Sequence, residues 1–201
     1  MAAEQGQKSP ARQRARDVLH QFGAVDRAVY QAVASVPTPA LDRVMRRLSN
    51  AANHSTLWLG IAAAIATTGP RGRRAAVRGV LAIGVTSAAV NIGVKSLAGR
   101  HRPDRTDVPG QRRVPMPSST SFPSGHSASA FAFATAVGRE RPWAGACLQF
   151  LAGAVAYSRV HTGVHYPGDA VAGALIGIGT GQAVASAVDR LAPDSSGSAS
   201  R

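Results

Sequence analysis

The chain has 201 residues, a formal net charge of +13 and a pI of about 11.6; this is the size of one domain, and the charge indicates an anionic partner. Nucleic acid is disfavoured as that partner, because aromatic residues make up only 5% of the chain and the arginines fall between apolar blocks instead of along one stripe. No signal-peptide pattern is visible at the N-terminus, so a periplasmic or secreted soluble enzyme is disfavoured as well.

The first part of the chain is predicted to hold a tail and two amphipathic helices. Residues 1–16 are polar and basic, and we expect them to be disordered. Residues 17–48 are predicted as amphipathic, interfacial helical segments, separated by the PTP sequence at residues 37–39. The second segment, residues 40–48, places apolar side chains on one face and arginines elsewhere. This pattern fits a helix that lies on a membrane surface or one that packs against the protein.

Five long stretches without charged residues follow, at residues 49–70, 79–94, 127–138, 142–158 and 170–188. A membrane-spanning helix needs about 20 mostly apolar residues, and the first and last stretches reach that length. The second reaches it if Arg78 snorkels at one end and Lys95 terminates the other. All five are rich in alanine and glycine, which suits close packing of helices in a bilayer.

This distribution predicts an all-α fold: an integral-membrane helical bundle of about five transmembrane helices, over residues 49–190. A soluble all-α bundle is the alternative. Residues 191–201 are polar and are expected to be disordered. Residues 100–122 form a connection rich in proline, serine and arginine, and a long connection without periodicity is usually functional in a compact domain.

Two cations lie near the end of the second apolar stretch, in the sequence KSLAGRHRP of residues 95–103. Lys95 and Arg102 are seven residues apart, which is two helical turns, so they share a face if the helix continues that far. Pro103 would end the helix immediately afterwards. The two cations could hold an anion together, or they could be ordinary cations at a membrane surface.

A helix start is predicted at PSGH, residues 123–126. Ser124 and the unpaired N–H groups of the first turn, which begins at Gly125, would form an anion site at the positive end of the helix dipole. His126 would lie beside the bound anion. The alternative is that Ser124 only caps the helix and that His126 is a surface residue.

The sequence SRVHTGVHYPGD, residues 158–169, holds the most specific pattern. His165 and Asp169 are separated by four residues, so one helical turn can bring the carboxylate to the imidazole. An aspartate on one ring nitrogen sets the tautomer and leaves the other nitrogen free as a nucleophile. Arg159 can clamp phosphate oxygens with two hydrogen bonds, whereas His161 is expected to have a supporting or structural role.

A metal site is a second interpretation of the same segment. His161, His165 and Asp169 have the spacing of a metal-binding helix face. Nearby cations at Lys95, Arg102 and Arg159 would repel a divalent ion and attract a phosphate. No metal is therefore predicted.

Taken in order, the patterns K-x6-RP, PSGH and SR-x5-H-x3-D resemble those of the type-2 phosphatidic acid phosphatases, the superfamily shared with vanadium haloperoxidases; the resemblance covers residues 56–188. It implies a membrane phosphatase without cofactor that removes the terminal phosphate of a lipid phosphate or diphosphate through a phosphohistidine. Membrane lipids would surround the protein. The membrane branch of the family has six transmembrane spans, whereas five are counted in this chain. The implied roles are phosphate binding by Lys95, Arg102, Ser124, Gly125 and Arg159, general acid catalysis by His126, and nucleophilic attack by His165 supported by Asp169.

The sequence is compatible with other functions as well. A soluble acid phosphatase or a vanadium haloperoxidase of the same superfamily would share these residues, although haloperoxidases are longer; a non-catalytic membrane protein would have little need of them. Phosphatidic acid, phosphatidylglycerophosphate and polyprenyl diphosphates are equally possible substrates, and no oligomeric state is predicted.

The orientation in the membrane follows from the loops. If the spans alternate, the arginine-rich loops at residues 69–74 and 138–142 lie opposite the motifs, and arginines favour the cytoplasmic side. The active site would then face outward from the plasma membrane. The arginines within residues 12–16 and 43–47 would also lie outside, which counts against this orientation.

Overall fold

The computed structural model describes residues 10–95 and 99–191, which form helices joined by turns and one long loop. These residues contain no β-strand, so the all-α prediction is confirmed. The helices in chain order are α1 (Pro10–Ser35), α2 (Pro39–Ala51), α3 (Thr56–Ala66), α4 (Pro70–Ala88), α5 (Gly125–Glu140), α6 (Pro142–His161) and α7 (Pro167–Leu191).

The first helix begins earlier than expected. Helix α1 starts at Pro10 and so includes residues 10–16, which the sequence pattern placed in a tail. Proline favours the first position of a helix, and the alanines, arginines and glutamine that follow are good helix formers. The rest of the two predicted tails, residues 1–9 and 192–201, lies outside the described residues.

Helices α1 and α2 each have one side against the protein and one apolar side that is exposed. Tyr30 and Ala34 of α1 pack in a cluster with residues of the long loop, α6 and α7. Asp42, Met45 and Ser49 are the buried residues of α2. The exposed apolar residues of the two helices are Phe22, Val25, Val29, Leu41 and Val44. This region therefore packs on the protein with one side and exposes apolar side chains on the other, and its position on a membrane surface stays a prediction.

The single span predicted for residues 49–70 is divided in two. Helix α2 ends at Ala51, and a 3-10 turn over Asn53–Ser55 precedes α3. Two residues of this turn, His54 and Ser55, have positive φ angles of 52° and 61°, a conformation that interrupts a right-handed helix. With 11 residues, α3 is about 17 Å long at 1.5 Å per residue, so it does not cross a bilayer by itself.

Two helices among the described residues are long and apolar enough to cross a membrane, judged by length and composition. They are Pro70–Val94, which is α4 with its π-helical continuation Ala89–Val94, and Pro167–Leu191, which is α7. Arg78 does not snorkel to the end of its span as predicted. It is buried and forms ion pairs with Glu140 at 3.0 Å and with Asp189, because α5 and α7 both place a carboxylate at this end of the bundle.

Helix α5 lies at the centre of the bundle, where α4, α6 and α7 pack around it. Its small residues allow this close packing, and its contact with α7 depends on three glycines spaced four residues apart. A Cβ on Gly173, Gly177 or Gly181 would lie 2.4, 2.2 or 2.7 Å from a backbone oxygen of α5 or its N-cap. Such stripes of small residues let two helix backbones approach closely in membranes, and this one holds the start of α5 against the start of α7.

We expect Gly177→Ala to destabilise the protein by roughly 1–3 kcal/mol, because its Cβ would overlap a backbone oxygen that cannot move aside. Gly179→Ala is the matched control on the same helix, since a Cβ there has no atom within 4 Å, and alanine is the better helix former. Thermal unfolding in detergent measures both variants. Equal melting temperatures for the two would contradict this account of the α5–α7 contact.

Candidate active site

The three sequence motifs meet at one end of the bundle because four helices begin or end there. Lys95 follows the π-helical end of α4, and Gly125 starts α5. Arg159 lies in the last turn of α6, and Asp169 lies in the first turn of α7. His165 lies in the short turn between those two helices. Packing of helices that are joined by short turns, and in the case of α4 and α5 by the long loop, therefore brings together residues that are up to 74 positions apart.

His165 and Asp169 face each other as their spacing predicts. Nδ1 of His165 is 3.5 Å from Oδ2 of Asp169 and has no closer polar partner among the described residues. The carboxylate is fully buried. It accepts hydrogen bonds from the Ser121 hydroxyl, the Tyr166 N–H at 2.9 Å and Nη1 of Arg100 at 2.7 Å. These donors hold an ionised carboxylate behind the imidazole ring.

The imidazole of His165 is neutral at physiological pH. Burial lowers the pKa of His165 to about 4; the adjacent Asp169 carboxylate acts in the opposite direction, and the charges of Arg102 and Arg159 add to the lowering. With Nδ1 directed at a carboxylate, the proton belongs on Nδ1 and the lone pair is on Nε2. This is the form of histidine that can act as a nucleophile.

Arg102 lies beside the free nitrogen of this ring. Its Nη1 is 3.4 Å from Nε2 of His165 and donates to the carbonyl oxygen of Val164 at 2.7 Å. Its Nε donates to the carbonyl oxygen of Ser119 at 2.9 Å. Burial lowers the pKa of Arg102, and neutral oxygens hold the guanidinium without neutralising it.

Lys95 joins Arg102, but not in the way the helical spacing predicted. The chain is not helical from residue 99 to 105, so the two cations do not share a helix face. They meet because the long loop folds back and places the Ser119 hydroxyl 3.2 Å from both Lys95 Nζ and Arg102 Nη2. Burial lowers the pKa of Lys95, and the charge of Arg102 lowers it further.

The start of α5 lies against this pair of cations. Ser124 is the N-cap: its hydroxyl oxygen accepts from the Ser127 N–H at 3.4 Å and from the Ser127 hydroxyl at 3.0 Å. A Cβ on Gly125 would be 3.8 Å from Lys95 Nζ, so the ammonium group is close to the first helical turn. The N–H groups of Gly125 and His126 have no intrahelical acceptor and provide donors for an anion.

Arg159 is a buried cation that has no counterion in the part of the chain that the structure describes. It is 1% exposed, and its Nη1 donates to the Ser49 hydroxyl at 2.5 Å. Its Nε is buried without a hydrogen-bond partner. Within residues 10–95 and 99–191, no carboxylate forms an ion pair with Arg159, Arg102 or Lys95. An uncompensated buried charge is costly, so this site is built to receive an anion.

His126 completes the ring of side chains around that anion. Its Nε2 is 2.9 Å from Oδ1 of Asn53, in the turn before α3. His126 and Lys95 line the same cavity, so the ring lies beside one of the three cations. With the amide oxygen of Asn53 as acceptor, Nε2 of His126 carries a proton.

His161 lies apart from these residues, in a buried network. Its Nε2 is 2.8 Å from Oδ1 of Asp42, which also accepts from Nε of Arg112 at 2.9 Å. Arg112 in turn donates to the carbonyl oxygens of Val33 and Val36. The network ties α6 and the long loop to the turn between α1 and α2. The ring nitrogens of His161 contact Asp42 and Tyr157, and the described residues contain no group of three His, Cys, Asp or Glu side chains that could hold a metal.

Three contacts of the site were missed in the sequence. Arg100 lies within KSLAGRHRP, but the family pattern does not include it. Ser121 and Asn53 carry no local signal; Asn53 is simply a polar residue at the start of a neutral stretch. Each acts on a residue at least 48 positions away, a separation at which helical periodicity provides no information.

A cavity of about 210 Å³ adjoins the site on the side of His126. Hydrophobic walls are provided by Trp58 and Val90, and most of the lining is polar. The polar lining residues are His54, Ser55, Ser87, Asn91, Lys95, His126 and Ser129. The cavity is therefore suited to a group that carries hydroxyls and is attached to the phosphate.

Comparisons with known proteins show the family and the fold of this chain. A family profile described as the PAP2 superfamily matches residues 75–192. The decaprenylphosphoryl-5-phosphoribose phosphatase of Mycobacterium tuberculosis is 36% identical over 161 residues, covering 78% of this chain and 87% of the relative.

Two solved structures share the fold. A transmembrane PAP2-type phosphatidylglycerolphosphate phosphatase from Bacillus subtilis superposes with a TM-score of 0.69 at 22% identity, covering 87% of this chain and 89% of that one. LpxE from Aquifex aeolicus superposes with a TM-score of 0.64 at 25% identity, covering 78% and 92%.

Proposed function

The chain belongs to the PAP2 superfamily, and on that premise we propose that it removes the terminal phosphate of a lipid phosphate through a phosphohistidine intermediate. It is a membrane phosphatase, in keeping with its relatives and with the two long apolar helices. The geometry of the site supports the roles proposed for individual residues. The single observation that carries them is a group of three cations that have no carboxylate partner among the described residues, one of which, Arg102, lies 3.4 Å from Nε2 of the neutral His165.

In the first step, the phosphate binds among Lys95, Arg102 and Arg159 and the N–H groups at the start of α5. Nε2 of His165 attacks phosphorus and forms an N–P bond, while the P–O bond to the leaving group breaks. The positive charge that develops on the imidazole is stabilised by Asp169 at Nδ1. The cations stabilise the charge on the equatorial oxygens, where electrostatic catalysis has its largest effect.

His126 handles the proton in both steps. It donates the proton on Nε2 to the leaving oxygen as the P–O bond breaks. It then removes a proton from the water that attacks the phosphohistidine, so inorganic phosphate is released and His165 is regenerated. Before the first step, the hydrogen bond to Asn53 holds the His126 ring in place.

The polar cavity beside His126 supports a substrate with a hydroxyl-bearing leaving group. Because His126 protonates the leaving oxygen, the leaving group must lie on the side of the site where the cavity is. The mycobacterial relative is named for a decaprenylphosphoryl-5-phosphoribose, in which the phosphate is carried by a sugar. We therefore place a phosphosugar linked to a polyprenyl lipid first among the substrates, ahead of phosphatidic acid, phosphatidylglycerophosphate and polyprenyl diphosphate.

The test is phosphate release by the purified protein in detergent from each of these four lipids, with soluble sugar phosphates as controls. We expect the highest kcat/KM with the polyprenyl phosphosugar, inhibition by vanadate and full activity in EDTA. Asn91→Leu, in the cavity wall, should lower kcat/KM for the phosphosugar more than for phosphatidic acid. Equal activity on soluble sugar phosphates would favour a soluble-substrate phosphatase, and no release from any lipid would refute the proposal.

The arrangement in the membrane is part of the same proposal. The phosphatase domain, residues 49–190, places α3–α7 in the bilayer as the five predicted apolar segments, with α3 crossing only part of it. Residues 17–48 lie on the membrane surface, because α1 and α2 expose Phe22, Val25 and Val44. The active-site end then lies at the level of the lipid headgroups, where the phosphate of a lipid is found.

We propose that this end faces outward from the plasma membrane, since the opposite end carries the exposed arginines Arg71, Arg73 and Arg74. In a Cys147→Ser background, an impermeant thiol reagent should label Gly110→Cys and not Arg73→Cys in intact cells. Both positions are exposed, and a Cβ on Gly110 meets no atom within 4 Å. The reverse labelling would invert the orientation.

A further inference from the structure

Arg100 bridges two carboxylates that come from distant parts of the chain. Its Nη1 donates to Oδ1 of Asp169 at 2.7 Å, and its Nη2 donates to Oδ2 of Asp26 on α1 at 2.5 Å. The guanidinium also lies over the ring of Tyr166, 4.2 Å from the ring centroid. A planar group held at two edges and on one face has little freedom to rotate, so Arg100 is a firm connection between α1 and Asp169.

Arg100 restricts the orientation of the Asp169 carboxylate. Ser121 and the Tyr166 N–H donate to Oδ2, whereas Arg100 donates to Oδ1. His165 Nδ1 lies 3.5 Å from Oδ2, so a rotation of the carboxylate would change the distance to the imidazole. Arg100 opposes that rotation, because it would break the bond to Oδ1.

Asp26 holds the other side of this connection. Its Oδ1 accepts the N–H of Gly168 at 2.7 Å, next to Asp169 in the chain, and its side chain is 11% exposed. Asp26 also changes the charge behind the nucleophile. Arg100 alone would neutralise Asp169, but two carboxylates that share one guanidinium have a net charge of −1.

We propose that Asp26 and Arg100 are positioning residues for the nucleophile, which act on His165 through Asp169; this inference rests on the proposed function. The imidazole becomes positively charged as its N–P bond forms. A net negative charge behind Nδ1 stabilises that state more than the uncharged resting ring. Helix α1, which the family pattern leaves out, therefore contributes a carboxylate to the rate of phosphorylation.

Asp26→Asn is the most direct test, because asparagine keeps the shape of the side chain and an oxygen for the Gly168 N–H. It removes the charge and replaces the oxygen that accepts from Arg100 with an NH2 group that cannot accept. We expect kcat to fall by about tenfold, the size of effect typical of groups that orient an active-site ligand, with KM changed by less than about twofold. The substrate is the lipid phosphate hydrolysed fastest in the panel described above. Single-turnover formation of phosphohistidine should slow by the same factor.

Tyr30→Phe is the matched control, one turn further along α1. The Tyr30 hydroxyl donates to the carbonyl oxygen of Asp104 at 2.7 Å, so it anchors α1 to the long loop without touching Arg100. We expect this variant to keep kcat close to that of the wild-type protein. An equal fall in kcat for Tyr30→Phe and Asp26→Asn would show that α1 acts only as a structural support, and would overturn the proposal.

The double variant shows whether Asp26 acts through Arg100. In an Arg100→Gln background, Asp26→Asn should have no further effect on kcat, whereas independent residues would give multiplicative losses. Two results would overturn this inference and leave the proposed function standing. The first is multiplicative losses in the double variant. The second is an active wild-type protein whose Asp26→Asn variant keeps its full kcat. A wild-type protein that releases no phosphate from any lipid would overturn the proposed function and this inference with it.

Discussion

Replacing His165 with alanine is expected to abolish phosphate release, with a loss of at least about 1,000-fold, and to prevent any covalent labelling of the protein. The reason is that Nε2 of His165 is the atom proposed to form the N–P bond. The measurement is incubation with a ³²P-labelled substrate, a rapid alkaline quench, and mapping of the labelled residue. The activity of Asp169→Asn should lie between that of His165→Ala and that of the wild-type protein, because the imidazole ring remains but its tautomer is no longer set by a charge.

His126→Ala should fail in a different way, because the nucleophile remains and only the proton donor is lost. With a lipid substrate, whose leaving group is an alkoxide, we expect a loss of about 100-fold or more. With p-nitrophenyl phosphate, whose leaving group hardly needs a proton, phosphorylation should retain a larger share of the wild-type rate. Phosphohistidine should accumulate, since the attacking water lacks its base.

His161→Gln is the control for both variants. His161 is also buried and lies near Asp42 at 2.8 Å, but it does not face the phosphate site. Its replacement should lower thermal stability without changing the ratio of rates on the two substrates. A phosphorylated His165→Ala protein, or label found on another residue, would show that the nucleophile has been assigned wrongly.

Arg159→Met should lower kcat/KM by about 100-fold or more and leave the thermal stability of the protein unchanged or raised. Arg159 is 1% exposed, with a buried Nε that lacks a partner and no ion-paired carboxylate among the described residues. Such a cation costs stability until an anion binds, and an apolar side chain of similar length removes that cost. Phosphatase kinetics and thermal unfolding in detergent, with and without vanadate, measure the two effects.

Arg78→Met provides the opposite case in the same bundle. Arg78 is also buried, but it is ion-paired with Glu140 and Asp189 at the end remote from the active site. Removing it leaves two carboxylates without a partner, so we expect a loss of roughly 2–3 kcal/mol of stability with kcat nearly unchanged. If Arg159→Met proved as destabilising as Arg78→Met, Arg159 would be a structural residue and not part of the phosphate site.

Several features of the site could be predicted from the sequence because they depend on neighbours within one or two helical turns. The approach of His165 to Asp169 follows from a separation of four residues, and the helix start at Ser124 follows from a capping serine before a run of alanines. The apolar character of α4 and α7 is a property of each segment alone. In contrast, the predicted helical pairing of Lys95 with Arg102 was wrong, since the chain leaves the helix before Arg102.

The division of residues 49–70 shows a second limit of local reasoning. Neither proline nor glycine marks the break at Asn53–Ser55, and the stretch has the composition of one apolar helix. Within this turn, Asn53 contacts His126 from another helix, and just before it Ser49 contacts Arg159; both contacts join residues far apart in the chain. A conformation with positive φ at His54 and Ser55 is tolerated when the tertiary structure compensates its cost.

The sequence by itself determined the helical class of this protein, the family to which it belongs and the set of charged residues proposed to bind phosphate, because residue type, order and short spacing carry that information. Only the tertiary structure decided which partner each of those residues has. Among the described residues, Arg159 has no carboxylate partner, Arg78 has two, and Arg100 shares its charge between Asp169 and Asp26. The physical reason is that the free energy of a buried charge depends on what lies within a few ångströms, and in a bundle those neighbours come from helices far apart in the chain.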